Sequence, residues 1–348
     1  MKILYGVQGT GNGHVARARL MAEALQDRGV DVTWLFSGRA PEDFRAMAPF
    51  GAWEWRRGLT FVHRDGAVDN LATWRANSWS SIRSEIAELD VGGFDLVVSD
   101  FEPVTAWAAR RAGVRSIGLS NQAAYAHAIP RFCADPVQSA VFRWFAPVDI
   151  ALGMHWDRFG LPLLPPIVAP PKAGRVEDDL VVAYLPFEPL NEVLQCLRAV
   201  HGVRFVCYHP QGPERPTHAA PHIVVRGLSA TDFPRDLARC GGVIANAGFS
   251  LASEAVALGR RLLVKPLAGQ FEQETNARTL ELLGRGKHLA TLDPQAVSAW
   301  LATPRPAPSP WPDASGIVAD WLAQGAHAPV DRLCDAAWQA TGTRRLAA

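Results

Sequence analysis

Residues 245–277 read ANAGFSLASEAVALGRRLLVKPLAGQFEQETNA. A short apolar run ends at Asn246, a glycine turn follows, and FSLASEAVALG carries apolar residues at helical spacing up to Gly259. RLLVKPL is a second buried-strand pattern, and a new helix opens beyond its loop. Strand, glycine turn, helix and strand form one βαβ unit of a parallel sheet, whose ligand-binding loops lie at the carboxyl ends of the strands. Gly248 lets backbone approach a ligand, and the first helical turn leaves N–H groups that favour an anion. Ser250 and Glu254, four residues apart, share a helix face. A carboxylate one turn into such a helix is placed to accept two hydroxyls of a ribose. Glu272 and Gln273, beside Gln270 at the next loop-to-helix junction, are placed to hydrogen-bond vicinal hydroxyls of a sugar.

The same rhythm extends in both directions. Upstream, LVVAYLPF, LNEVLQCLRAV, VRFVCYH, DFPRDLARCG and GVIANAG alternate strand and helix. A similar series opens the chain: KILYGV as a strand, HVARARLMAEALQDR as a helix stopped by Gly29, then VDVTWLFS, FDLVVSD and VRSIGLS as strands. DNLATWRANSWSSIRSEIAEL reads as one long helix and PVTAWAARRAG as another. Proline-rich LPLLPPIVAPPKAGRVEDD, 161–179, separates the two series. The chain therefore divides into Rossmann-like domains at 1–162 and 180–322, a linker at 163–179, and a helical tail at 323–348 that packs back on the first domain.

Bulk properties exclude several classes. The 348 residues are 48% hydrophobic and 20% charged, a globular composition. Lys plus Arg is 35 against 34 Asp plus Glu, so no basic surplus points to nucleic acid. Five scattered cysteines without C-x-x-C suit a reducing cytosol. The N-terminus has no signal-peptide pattern, and no apolar run is long enough to span a bilayer. A cytoplasmic location follows, and contact with the cytoplasmic membrane face stays open. The loop HPQGPERPTHAAPH holds His209, His218 and His222, read as surface rather than a metal site, and no D-x-D motif occurs. The aromatic run VFRWFAP, 141–147, is read as core packing, with a membrane or acceptor patch as the alternative.

QGTGNGH, 8–14, is the other informative loop. A dinucleotide fingerprint, G-x-G-x-x-G, needs a third glycine where His14 stands, and LFSGR replaces the acid expected at the end of the second strand. A dehydrogenase is thereby disfavoured. Gly11 and Gly13 bring backbone close to a ligand at a helix N-terminus. His14 there suits a general base, with an ordinary cap-region histidine as the bland alternative. Asp100, in VSDFEP with Glu102, is the rival base or the partner that orients His14; a helix N-cap is the alternative.

The 245–277 segment resembles the nucleotide-sugar signature of GT-B glycosyltransferases, in particular the family of the lipid II-forming N-acetylglucosaminyltransferase and its bacterial and archaeal relatives. The G-x-G-x-G-H loop matches that family, and VSDFEP, 98–103, and SNQ, 120–122, look like motifs of the relatives. The resemblance implies two doubly wound Rossmann-like domains facing a central cleft. It assigns Glu254 to the donor ribose, and Ser250 with the amides near Gly248 and Phe249 to the diphosphate. Glu272, Gln273 and Gln270 go to the donor sugar, Gly227 and Leu228 to the base, and Gly11 and Gly13 to the diphosphate from the acceptor-side rim. Asn246 stands where plant relatives place a phosphate-contacting histidine, and Lys265 where an apolar residue is usual. The implied activity is inverting, metal-independent transfer from a nucleotide-sugar, UDP-linked by expectation, with no cofactor beyond that co-substrate. The acceptor stays open among lipid-linked sugar, glycan, natural product and protein. A nucleotide-sugar 2-epimerase and a non-catalytic sugar-nucleotide-binding module are the rival readings.

Overall fold

The computed structural model describes residues 1–132, 142, 144–170, 174–229 and 231–340. The N-terminal sheet contains β1 (Lys2–Gln8), β2 (Asp31–Ser37), β3 (Trp53–Trp55), β6 (Leu96–Asp100), β7 (Ser116–Ser120) and β8 (Ile150–Gly153) in the order β3-β2-β1-β6-β7-β8. Between them, β4 (His63–Arg64) and β5 (Ala67–Val68) make a separate hairpin. The second sheet contains β9 (Glu177–Tyr184), β10 (Arg204–Tyr208), β11 (Thr217–Ala220), β12 (Ile223–Arg226), β13 (Cys240–Asn246), β14 (Arg261–Lys265) and β15 (Lys287–His288), ordered β11-β12-β10-β9-β13-β14-β15. Apart from the antiparallel edge strand β11, the two sheets are parallel and share one winding pattern. The winding reverses between β1 and β6 in one sheet and between β9 and β13 in the other. Crevices at such reversals, beyond the carboxyl ends of the strands, are where doubly wound sheets bind ligands.

The helices are α1 (Asn12–Gln26), α2 (Asn70–Ala76), α3 (Trp79–Glu88), α4 (Pro103–Ala112), α5 (Leu190–Arg198), α6 (Asp232–Arg239), α7 (Phe249–Ala257), α8 (Phe271–Leu282), α9 (Pro294–Leu301), α10 (Ala314–Ala323) and α11 (Val330–Gln339). The single helix expected over 69–89 is two. Asp69 caps α2 through Ala72 N–H, and the Asn77 amide turns back to the Thr73 and Thr60 carbonyls. The Ser78 hydroxyl then caps α3. Short polar side chains that bond nearby backbone break a helix that apolar periodicity alone would continue. Among the described residues, no helix is long and apolar enough to cross a membrane.

Packing joins the domains into one body. Trp156, fully buried beyond β8, stacks on Phe249 of α7 with ring centroids 4.8 Å apart, and its Nε1 donates to Ser253 Oγ at 2.8 Å. One apolar cluster runs from Tyr5 and Val7 in the first sheet through Trp156 to Ala252 and Val264 in the second domain. The C-terminal helices lie on the N-terminal domain. Arg28, just past α1, pairs with Asp320 of α10 at 2.6 Å, Arg115 donates to the Gly325 and Ala326 carbonyls, and Trp338 Nε1 donates to Leu163 O. The β4–β5 hairpin crosses the other way: Gly66 N–H donates to Phe187 O, and Ala268 N–H to Gly66 O, both at 2.8 Å. Gly66 adopts φ +72°, and a Cβ there would lie 2.5 Å from a Glu188 carboxylate oxygen, so glycine is required twice over.

Because Trp156 fills the seam, Trp156→Ala is expected to cost about 3–5 kcal/mol as a cavity. Trp156→Phe keeps the stack and loses the bond to Ser253, about 1 kcal/mol. Denaturant midpoints of the two variants measure the difference; equal, small losses would show that this seam does not hold the domains.

Candidate functional site

The loops at both winding reversals meet across the interdomain cleft. On the N-terminal side, the 9–13 loop leaves β1 and Asp100 ends the neighbouring β6, in register with Val7. His14, in the first turn of α1, therefore faces Asp100. His14 Nδ1 lies 2.7 Å from Asp100 Oδ1, and Arg17, one turn on, reaches Oδ2 through Nε at 2.8 Å and Oδ1 through Nη2 at 2.5 Å. An ionised carboxylate only accepts, so His14 carries its proton on Nδ1 and leaves Nε2 as an acceptor. Burial alone would raise the Asp100 pKa. The Arg17 and His14 charges and their hydrogen bonds outweigh it and hold the carboxyl below its usual range.

Asp100 has no exposure to water, and both of its oxygens are occupied. It holds the His14 ring and presents no oxygen free to the cleft. Glu102 caps α4, accepting from the backbone of Val104 and Thr105 and from the hydroxyls of Ser37 and Thr105. Sequence reading missed Arg17, whose only signal is its place one turn beyond His14 on the same helix.

Gly11 and Gly248 occupy the N-cap positions of α1 and α7, and neither helix start is capped by a side chain. The two starts touch: a Cβ on Gly13 would lie 2.5 Å from Ser250 Oγ, whereas Gly248 faces open space. Phe249 puts its ring into the seam against Trp156, leaving only its backbone amide for a ligand. The Glu254 side chain, one turn into α7, makes no hydrogen bond or ion pair with the described residues, and its burial raises its pKa to about 7. Leu228, half exposed, and Gly227 follow β12 at the far end of the same rim; the Gly227 N–H donates to Pro213 O.

Most of the remaining candidates are partly engaged by the protein itself. Gln273 is buried, and its Oε1 accepts from the Ala247 and Leu267 N–H groups at 3.2 and 3.1 Å, tying together the loops after β13 and β14. Buried backbone donors must be paired, so Oε1 is committed to this brace, and the sugar contact expected of Gln273 falls to its Nε2 amide. Glu272 turns to the N-terminal domain and accepts from Asn121 at 2.7 Å and from Gln122 at 3.1 Å. Its pKa is raised by burial, against the opposing effects of Gln122, His14, Asn121 and Arg17. Asn246 donates to Glu188 and to Lys265 O, while its own Oδ1 is buried without a partner. Lys265 pairs with Glu188 at 2.8 Å, so it neither snorkels to solvent nor projects freely into the cleft. Gln270 Oε1 is also buried without a partner, beside a cavity of about 430 Å³ at the carboxyl end of β14. That cavity is lined by Lys265, Gln270 and His288, and lies beside the α7 start rather than on it.

The three loop histidines do not converge. His209 is buried against Glu188 O, and His222 packs on His201. Of the 141–147 run, residues 141 and 143 lie outside the described residues. Phe142 and Phe145 stack on Phe101, and Trp144, half exposed, stacks on Trp107.

The sequence matches the family described as Glycosyl transferase family 1 over residues 1–137 and 161–304. A comparison with curated proteins finds no match. Among solved structures, the chain is similar to the glycosyltransferase SnogD from Streptomyces nogalater, with 16% identity and TM-score 0.54 over 96% of this chain and 98% of that one. It is also similar to MurG from Acinetobacter baumannii, with 17% identity and TM-score 0.57 over 93% and 99% of the two chains. The glycosyltransferase SsfS6 from Streptomyces sp. SF2575, complexed with thymidine diphosphate, gives 13% identity and TM-score 0.54 over 93% and 99%. At these identities the structural likeness speaks for the fold, which is GT-B. With the family match spanning most of its length, this chain belongs to glycosyl transferase family 1 and is a GT-B glycosyltransferase.

Proposed function

We propose that the enzyme transfers a sugar from a nucleoside-diphosphate sugar to a hydroxyl acceptor by a single displacement that inverts the anomeric centre, without a metal. The observation that carries this reading is the His14–Asp100 pair, oriented at the cleft beside two uncapped helix starts. His14 Nε2 takes the acceptor proton as the acceptor oxygen attacks the anomeric carbon. Asp100, held ionised by Arg17, keeps the proton-bearing Nδ1 turned inward and stabilises the imidazolium that forms. The amides at the start of α7 stabilise the leaving diphosphate, whose charge grows in the transition state. Glu254 accepts the two ribose hydroxyls, and Gly227 and Leu228 border the base. UDP is the expected carrier; SsfS6, of the same fold, is complexed with thymidine diphosphate, so both nucleotides belong in the test. Incubation with UDP- and TDP-sugars and a panel of hydroxyl acceptors, followed by NMR of the product's anomeric coupling, tests the reaction. Inversion is expected. Retention overturns the single displacement, and epimerised donor without an acceptor favours the 2-epimerase.

A positioned general base contributes about 10²–10⁴ in rate. His14→Ala is therefore expected to lower kcat by that factor while donor affinity stays within a few-fold, because His14 faces the acceptor proton and not the nucleotide. His14→Gln should not restore turnover, since an amide cannot take the proton. A kcat within threefold of wild type for His14→Ala would remove histidine from the chemistry.

Glu254 gives a prediction with a sign. Its folded pKa of about 7 lies above the usual 4.5, so the carboxyl's contribution to stability is fully present below pH 4.5 and is lost as pH rises through about 7. Glu254→Gln, neutral at every pH, is expected to match the wild-type melting temperature near pH 4.5. At pH 8.5 it should exceed wild-type stability by on the order of 1–3 kcal/mol. The same change should weaken donor binding about 10- to 150-fold through lost charge-assisted bonds. Calorimetry with UDP and TDP checks the second effect, and a gain in stability without loss of affinity would leave Glu254 outside the donor site.

A further inference from the structure

The cationic side chains around the cleft are mostly neutralised within the protein. Arg17 is paired with Asp100, Lys265 with Glu188 at 2.8 Å, Arg226 with Asp232 at 3.1 Å and Arg278 with Glu274 at 2.6 Å. Arg39 differs. It stands just past β2, where dinucleotide-binding folds place an acid. Its Nη1 donates to the neutral Asn12 side chain at 2.9 Å, and its guanidinium carbon lies 4.3 Å from the centre of the Phe44 ring. Its Nε is buried without a partner, and among the described residues no carboxylate forms an ion pair with it. Asp43 is near enough to be felt, but Arg19 and Arg45 act in the opposite sense.

The place of Arg39 gives the unpaired charge a direction. Asn12 opens α1, and its side chain lies near enough to Tyr184, at the end of β9 in the other domain, to act on that phenol. The next residue, Gly13, abuts Ser250 at the start of α7. Arg39, Asn12 and Tyr184 therefore bridge the cleft beside the winding reversals of both sheets, next to two helix starts whose partial charge is also positive. Among the described residues, no carboxylate forms an ion pair with Arg39 to balance this concentration. A guanidinium is planar, remains protonated and offers paired donors, which suits a phosphate better than a point charge does.

Building on the donor site described above, we propose that Arg39 is a further catalytic residue that contacts the donor's diphosphate from the N-terminal domain. As the acceptor oxygen bonds to the anomeric carbon, the bond from that carbon to the phosphate oxygen breaks. Its electron pair stays on the phosphate, and the acceptor proton passes to His14. The diphosphate leaves with one more negative charge, and Arg39 stabilises that charge in a cleft partly closed to water.

Calorimetry with UDP and TDP, using uridine and thymidine as controls, tests the assignment on Arg39→Gln and Arg39→Met. The methionine variant keeps an apolar stem over Phe44, and melting temperatures check that both variants fold. Diphosphate affinity is expected to fall about 10- to 150-fold in each variant, the loss of charge-assisted bonds. Nucleoside affinity should not change, and kcat should fall as well. Wild-type diphosphate affinity and kcat in a folded variant would overturn the role of Arg39 and leave the donor site standing. Equal losses for nucleoside and diphosphate would also overturn it, moving Arg39 to support of the base or the loop. Failure of the wild type to bind either diphosphate would overturn the donor-site reading, and Arg39 with it.

Discussion

A carboxylate sealed from water must find its compensating charge inside the protein, and Asp100 finds it in Arg17 and His14. Removing one partner of such a buried pair typically costs about 3–5 kcal/mol, because the other charge is then stranded. The pair links α1 to the end of β6 across the winding reversal of the first sheet. It thereby fixes the rotation of α1, the direction of His14 Nε2 and the approach of the glycine loop to the second domain. Fold and chemistry share these atoms. The arginine that keeps the carboxylate ionised is part of the core, and the histidine it orients is at the cleft.

The seam between the domains follows from the same placement. Each sheet brings its loops to the carboxyl ends of its strands, and the two sets of loops face each other. Close approach is possible only where side chains are missing, at Gly13 against Ser250 and at Gly66 against Glu188. Around these contacts the polar residues are largely consumed in holding backbone. Gln273 braces two loops, and Glu272 ties α8 to Asn121 and Gln122. Such bonds make the loops rigid, and a site whose dipoles are already aligned needs little reorganisation during reaction.

Charges in the cleft are treated unequally. Lys265 and Glu188 cancel each other beneath the β4–β5 hairpin. The Glu254 side chain is left alone on α7 and is raised by burial to a pKa of about 7, and at the opposite wall Arg39 has no carboxylate partner among the described residues. Unpaired ionisable groups are expensive where no ligand completes them, so their presence on the two sides of one cleft agrees with an anionic, hydroxyl-bearing donor between them.

The sequence by itself determined the βα rhythm, the division into two α/β domains and the glycine turns that precede α1 and α7. Apolar periodicity and the need for small residues at tight turns are local properties, written residue by residue. It also singled out His14 at the start of α1, Asp100 at the end of β6 and Glu254 one turn into α7 as candidates, because an ionisable residue beside a glycine turn or a strand end is conspicuous in a one-dimensional pattern. It misjudged the helix at 69–89, where Ser78 and Asn77 outcompete periodicity, and it did not distinguish Gln273 as a brace from Gln273 as a sugar contact. Only the tertiary structure showed that both Asp100 oxygens are taken up by His14 and Arg17, that Lys265 is spent on Glu188, and that among the described residues no carboxylate pairs with Arg39. The reason is physical: whether a charge is available depends on which groups arrive beside it, and its partners lie tens of residues away in the chain.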